Sequence, residues 1–95
     1  MEPLQLLKKL GFTEYESRAY LSLAKLGPST VREIVEESNL PRNKAYEALQ
    51  RLEQKNKVMS LPITPKKYKI TDPEILKNEV QDINASIDNL VSLIE

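Results

Sequence analysis

The sequence predicts a mainly α fold: five helices, with one short β-hairpin between the fourth and the fifth. Three observations predict it. Apolar residues recur at helical spacing in five segments, each opened by a proline or a capping Thr or Asp. A short apolar run, residues 58–62, and the alternating stretch KKYKI, residues 66–70, break that period on either side of a proline turn. The 14 Lys+Arg and 14 Asp+Glu cancel to a net charge of zero, yet they are segregated along the chain.

The first helix carries Leu4, Leu7 and Leu10 on one face, with Pro3 suited to its first turn and Gly11 ending it. Thr13 stands three residues before Glu16, a capping-box spacing, and opens a helix over residues 14–26 with Ala19, Leu23 and Leu26 on one face. Gly27-Pro28 stops it. Thr30 and Glu33 repeat the box and open a short helix, residues 31–38, that buries Val31, Ile34 and Val35. Asn39-Leu40-Pro41 is a tight connection, and Pro41 fits the first turn of the next helix, which runs to about Lys55. Ala45, Ala48, Leu49 and Leu52 form its buried face, and Asn56 suits a left-handed cap. The hairpin follows, with Tyr68 and Ile70 on one face of its second strand and Lys67 and Lys69 on the other.

Asp72 as N-cap, then Pro73 and Glu74, start the final helix. Leu76, Val80, Ile83, Ile87, Leu90 and Ile94 recur at alternating spacings of four and three, a heptad seam. The expected organisation is therefore a domain over residues 1–71 and a dimerisation helix over 72–95. A monomer has no use for the distal part of that seam, so a homodimer through a coiled coil is expected.

The charge falls into thirds. Residues 1–39 hold five basic and six acidic side chains, residues 40–69 eight and two, and residues 70–95 one and six. A neutral chain with a cationic middle suggests a contact surface for an anionic partner. The absence of Cys and His removes disulfides, thiolate nucleophiles and Cys/His zinc sites, so no metal and no cofactor is expected. Glu36 and Glu37 point in different directions on a helix, and no Ser or Lys has a base beside it, so an enzyme is not expected. The start, "MEPLQLLKKL", has neither the apolar run nor the cleavage site of a secretory signal, and no stretch reaches membrane-spanning length. A cytoplasmic, nucleoid-associated protein with no membrane contact is the expectation.

Helices 30–38 and 41–55 with their tight turn form a helix-turn-helix, and the hairpin is its wing, giving a winged helix-turn-helix with a C-terminal coiled-coil helix. In this motif the second helix enters the major groove of double-stranded DNA. With Ala45 at the centre of the buried face and 100° per residue, Asn43, Glu47, Gln50 and Gln54 lie opposite. Arg42 and Tyr46 occupy one flank, Lys44 and Arg51 the other. Amides between cations suit base edges flanked by phosphates, and Lys44, Arg51, Lys66, Lys67 and Lys69 suit the phosphates.

The stretches "LGFTEYESRAYLSL", "LPRNKAYEALQRLE" and "PKKYKITDPE" resemble the N-terminal winged-helix domain of the TrmB family of archaeal transcriptional regulators, over residues 10 to about 76. The resemblance implies operator DNA bound by a dimer. It implies recognition-helix contacts at Arg42, Asn43, Lys44, Tyr46 and Gln50, and wing contacts at Lys66 and Lys67. Asn56 departs from the family's usual Gly before the wing. Larger members continue into a sugar-binding domain, and this sequence stops at Glu95, so sugar sensing and a small-molecule effector are not expected.

The leading expectation is a sequence-specific, homodimeric DNA-binding transcriptional regulator, with helix 41–55 in the major groove and the wing, residues 62–67, on the backbone or minor groove. A low-specificity architectural or chromatin protein is the alternative, separated by its indifference to DNA sequence. A protein-interaction winged helix of the transcription machinery is the other, separated by failure to bind duplex DNA at low salt.

Overall fold

The computed structural model describes residues 2–71; the expected dimerisation helix and its heptad seam lie outside the described residues. The chain runs α1 (Pro3–Lys9), α2 (Glu14–Leu26), β1 (Ser29–Thr30), α3 (Val31–Ser38), α4 (Arg42–Gln54), β2 (Val58–Leu61) and β3 (Lys67–Ile70). This order, four helices of which the last two form a helix-turn-helix, followed by a hairpin, is that of a winged helix.

Local chemistry sets the boundaries. Both capping boxes form: the Glu16 amide donates to Thr13 Oγ1 at 3.1 Å, and the Thr13 amide to Glu16 Oε1 at 2.8 Å. Thr30 and Glu33 do the same for α3. Asn39 and Asn56 both adopt the left-handed conformation, φ 58° and 61°, which Asn tolerates because its short amide bonds locally. Asn39 thereby ends α3, and Asn56 turns the chain after α4 into β2.

Two expectations need correction. Pro41 is not in the first turn of α4 but is its N-cap. Its ψ of 142° is extended, and only its carbonyl joins the helix, accepting from the Ala45 amide at 2.9 Å. The sheet also has three strands, in antiparallel order β1-β3-β2, where a two-stranded hairpin was expected. Ser29 pairs with Tyr68 and Thr30 with Lys67, while Val58 and Ser60 pair with Ile70 and Tyr68 on the other edge. A two-residue strand is too short to show alternation, and Thr30 also caps α3, which hides its pairing role in the sequence.

The core is the meeting of α2, α3 and α4 over the sheet. Leu23, Ile34, Leu49, Leu52 and Val58 are the large side chains at its centre. All four residues assigned to the inner face of α4 are buried. Leu40, in the turn, is buried too and anchors the connection between α3 and α4. Val35 is only partly covered.

Two polar struts tie the helices together. Glu16, with 1% of its side chain exposed, accepts from Lys55 Nζ at 2.9 and 3.2 Å, which ties the start of α2 to the end of α4. Burial pushes the Glu16 carboxyl up, but the Thr13 amide and hydroxyl and the Lys55 ammonium outweigh it and hold the pKa below the ordinary value. Arg18 Nη2 donates to the Ser38 carbonyl at 2.6 Å and ties α2 to the end of α3, just before the turn.

Candidate nucleic-acid interface

The opposite face of α4 is open. Arg42, Asn43, Tyr46, Glu47, Gln50 and Arg51 are exposed, and Lys44 is half-buried. The 100° arithmetic puts Asn43, Glu47 and Gln50 opposite the Ala45–Leu49–Leu52 stripe that holds the helix to the core, with Arg42, Tyr46, Lys44 and Arg51 on its flanks. Arg42 lies over the Tyr46 ring, 5.9 Å from its centroid, one turn further on. Lys44 reaches Glu47 at 3.5 Å, a weak exposed pair.

A groove of about 380 Å³ separates α4 from the wing. Arg42 and Tyr46 line it from α4, Pro65, Lys66 and Tyr68 from the wing, and Thr30 and Arg32 from the start of α3. Lys66 Nζ sits 5.0 Å from the centroid of the Tyr68 ring. Hydrogen bonding to Tyr68 and attraction to it push the Lys66 pKa up. Tyr68 itself is buried and forms the groove's floor, fixed by its ladder contacts to Ser29 and Ser60. Among the described residues the lining holds no carboxylate.

The other expected site residues are distributed differently. Lys44 and Arg51 line a smaller cleft, about 140 Å³, against Thr13, Glu14 and Tyr15 at the start of α2. Lys67 lies near Glu33, whose carboxyl it helps to keep ionised after the two Thr30 hydrogen bonds. Lys69 lines a third cleft with Gly27 and Pro28, apart from the groove that holds Lys66. The structure thus joins Arg42, Tyr46 and Lys66, and does not join Lys69 to them.

The cationic middle of the sequence is also smaller at the surface than its count. Lys55 is engaged by Glu16. Lys57 is 5% exposed and lies over the Phe12 ring at 5.8 Å, with its pKa pushed down by burial. Arg32 enters from outside that segment and was not among the sequence candidates. Its spacing to Glu36, with which it pairs at 3.4 Å, reads in the sequence as an ordinary solvated helix face. Only the pairing of β1 with β3 brings the start of α3 beside the wing.

Residues 7–74 match the family model of the sugar-specific transcriptional regulator TrmB. The HTH-type sugar sensing transcriptional regulator TrmBL1 of Pyrococcus furiosus is 40% identical over 90 residues, 94% of this chain and 26% of that protein. The uncharacterized protein YrhO of Bacillus subtilis is 41% identical over 76 residues, 79% of this chain and 28% of that one. A solved structure of TrmBL2, described as an archaeal chromatin protein with a novel mode of DNA binding, superposes with a TM-score of 0.80 at 28% identity. That superposition covers 96% of this chain and 36% of TrmBL2. The chain spans about a quarter of the length of the curated relatives it matches.

Proposed function

This chain belongs to the TrmB family, and on that premise we propose that its winged helix binds double-stranded DNA sequence-specifically, as a homodimer, to regulate transcription. The observation that carries the reading is the open face of α4, where Asn43 and Gln50 stand exposed between Arg42 on one side and Lys44 and Arg51 on the other. Amides of this kind can pair in bidentate fashion with adenine in the major groove, where each base pair has a distinct pattern. Cations on both flanks match the phosphates on either side of that groove. Lys66 and Lys67 extend the contact from the wing. Glu47, exposed among them, opposes close approach to phosphates and favours a defined register over indiscriminate sliding.

The dimer reading rests on the heptad seam of Leu76, Val80, Ile83, Ile87, Leu90 and Ile94. Ile87→Glu places a carboxylate in that seam, and sedimentation should show it split the dimer while residues 2–71 keep their fold. Its DNA affinity should fall by more than tenfold because two half-sites are no longer held together. A monomeric wild type at tens of micromolar contradicts this part of the proposal.

An architectural role is the second reading, favoured by the description of TrmBL2 as a chromatin protein. Selection of bound duplexes from a random pool separates the two. Enrichment of a defined site supports the regulator, whereas a pool that stays random through repeated rounds supports the architectural protein.

A further inference from the structure

We propose that the groove between α4 and the wing seats one phosphodiester of the DNA backbone, and that Arg32 of α3 is its third cation beside Arg42 and Lys66. The inference rests on the duplex-binding reading above and adds a contact from outside the recognition helix and the wing. Three cationic side chains from three separate elements converge on one groove that, among the described residues, has no carboxylate in its lining. Two of them are guanidinium forks, whose planar donors match phosphate oxygens in pairs.

The aromatic rings decide what part of the nucleic acid fits. A single-stranded site stacks bases on open ring faces. Here Arg42 covers the Tyr46 ring at 5.9 Å and Lys66 covers that of Tyr68 at 5.0 Å. Tyr68 is buried beneath its cation and Tyr46 carries Arg42, so the groove has no pair of open ring faces to hold a base between them and presents two cations to a backbone. The opening of α3 does not supply the attraction by itself, because Thr30 and Glu33 already satisfy each other's amides at 3.0 and 3.2 Å. Arg32 is tethered to Glu36 at 3.4 Å, with both side chains more than two-thirds exposed. Such a pair is weak in water, and a phosphate can displace the carboxylate at little cost.

The test is a salt series of affinities, by fluorescence anisotropy, for a labelled duplex and for its single strand. Arg32→Ala should flatten the log–log slope by about 0.9, one phosphate's share, for each protomer bound, and weaken duplex binding about eightfold per protomer at about 0.1 M salt. Arg32→Lys should keep the wild-type slope because it keeps the charge. Lys25→Ala, which removes an exposed cation paired with Glu37 outside the groove, should change neither quantity. A wild-type slope in Arg32→Ala, with flattened slopes in Arg42→Ala and Lys66→Ala, removes Arg32 from the seat and leaves duplex binding standing. Equal affinity for the single strand overturns the phosphodiester seat. No binding to the duplex at low salt overturns both readings.

Discussion

Lys55 and Lys66 stand on opposite sides of α4, and their different fates explain how the domain divides its work. Lys55 donates twice to a carboxylate that has 1% of its side chain exposed, and so belongs to the framework. Lys66 rests on an aromatic ring at the edge of an open groove and is exposed. The same residue type is structural where a buried acid meets it and available where none does. The helix is thus held from behind, by its buried stripe and at its end through Glu16, while its front face and the wing offer charge outward. A rigid back is what a front face needs if its amides are to meet base edges in a fixed register.

Breaking the back should have the largest effect on stability. Glu16→Gln removes the buried charge and one of the two oxygens that accept from Lys55, so it should destabilise the domain by about 2 kcal/mol at neutral pH. Because the folded-state pKa of Glu16 lies below its ordinary value, its contribution is present above the unfolded-state pKa and lost as pH falls through the folded one. The gap in denaturation midpoint between wild type and Glu16→Gln should therefore hold from neutral pH to about pH 5 and close in stronger acid. The slope of DNA affinity against salt should not change in this variant while it is folded.

On the front face, Asn43→Ala or Gln50→Ala should cost about 1–3 kcal/mol on a preferred site and relax selectivity at particular base positions, with no loss of stability. Site preferences re-selected from a random pool check this, and an unchanged preference in both variants moves the account to the architectural reading. Smaller again is Lys66→Ala. It should weaken all duplexes alike, by about eightfold per bound protomer at about 0.1 M salt, and flatten the slope by about 0.9 per protomer. Lys67→Ala should act in the same direction but less, because Glu33 already shares that charge. The smallest effect belongs to Lys69→Ala. Its cleft with Gly27 and Pro28 is separate from the groove, so its affinity should stay within about twofold of wild type.

Features set by neighbours in the chain were legible in the sequence. Thr13 with Glu16 and Thr30 with Glu33 act over three residues, and both boxes form as their spacing implied. Helical arithmetic placed Ala45, Ala48, Leu49 and Leu52 inside α4 because one regular period governs all four. Features set by distant neighbours were not legible. Lys55 and Glu16 are 39 residues apart, and nothing local marks them as partners. Lys57 adds to any charge count, but tertiary packing against Phe12 takes it off the surface. Arg32 joins the groove only through the β1–β3 pairing, and β1 has too few residues to show a strand pattern.

The division between back and front is tested most directly by titrating a duplex into the isotopically labelled chain and following each backbone amide by NMR. The largest shifts should run along Arg42–Arg51, at Thr30–Arg32 and in the wing at residues 62–67. Small shifts are predicted at Glu16, Arg18 and Gly27. Shifts centred on α1, α2 or the Gly27–Lys69 cleft, with Asn43 and Lys66 unmoved, would contradict it.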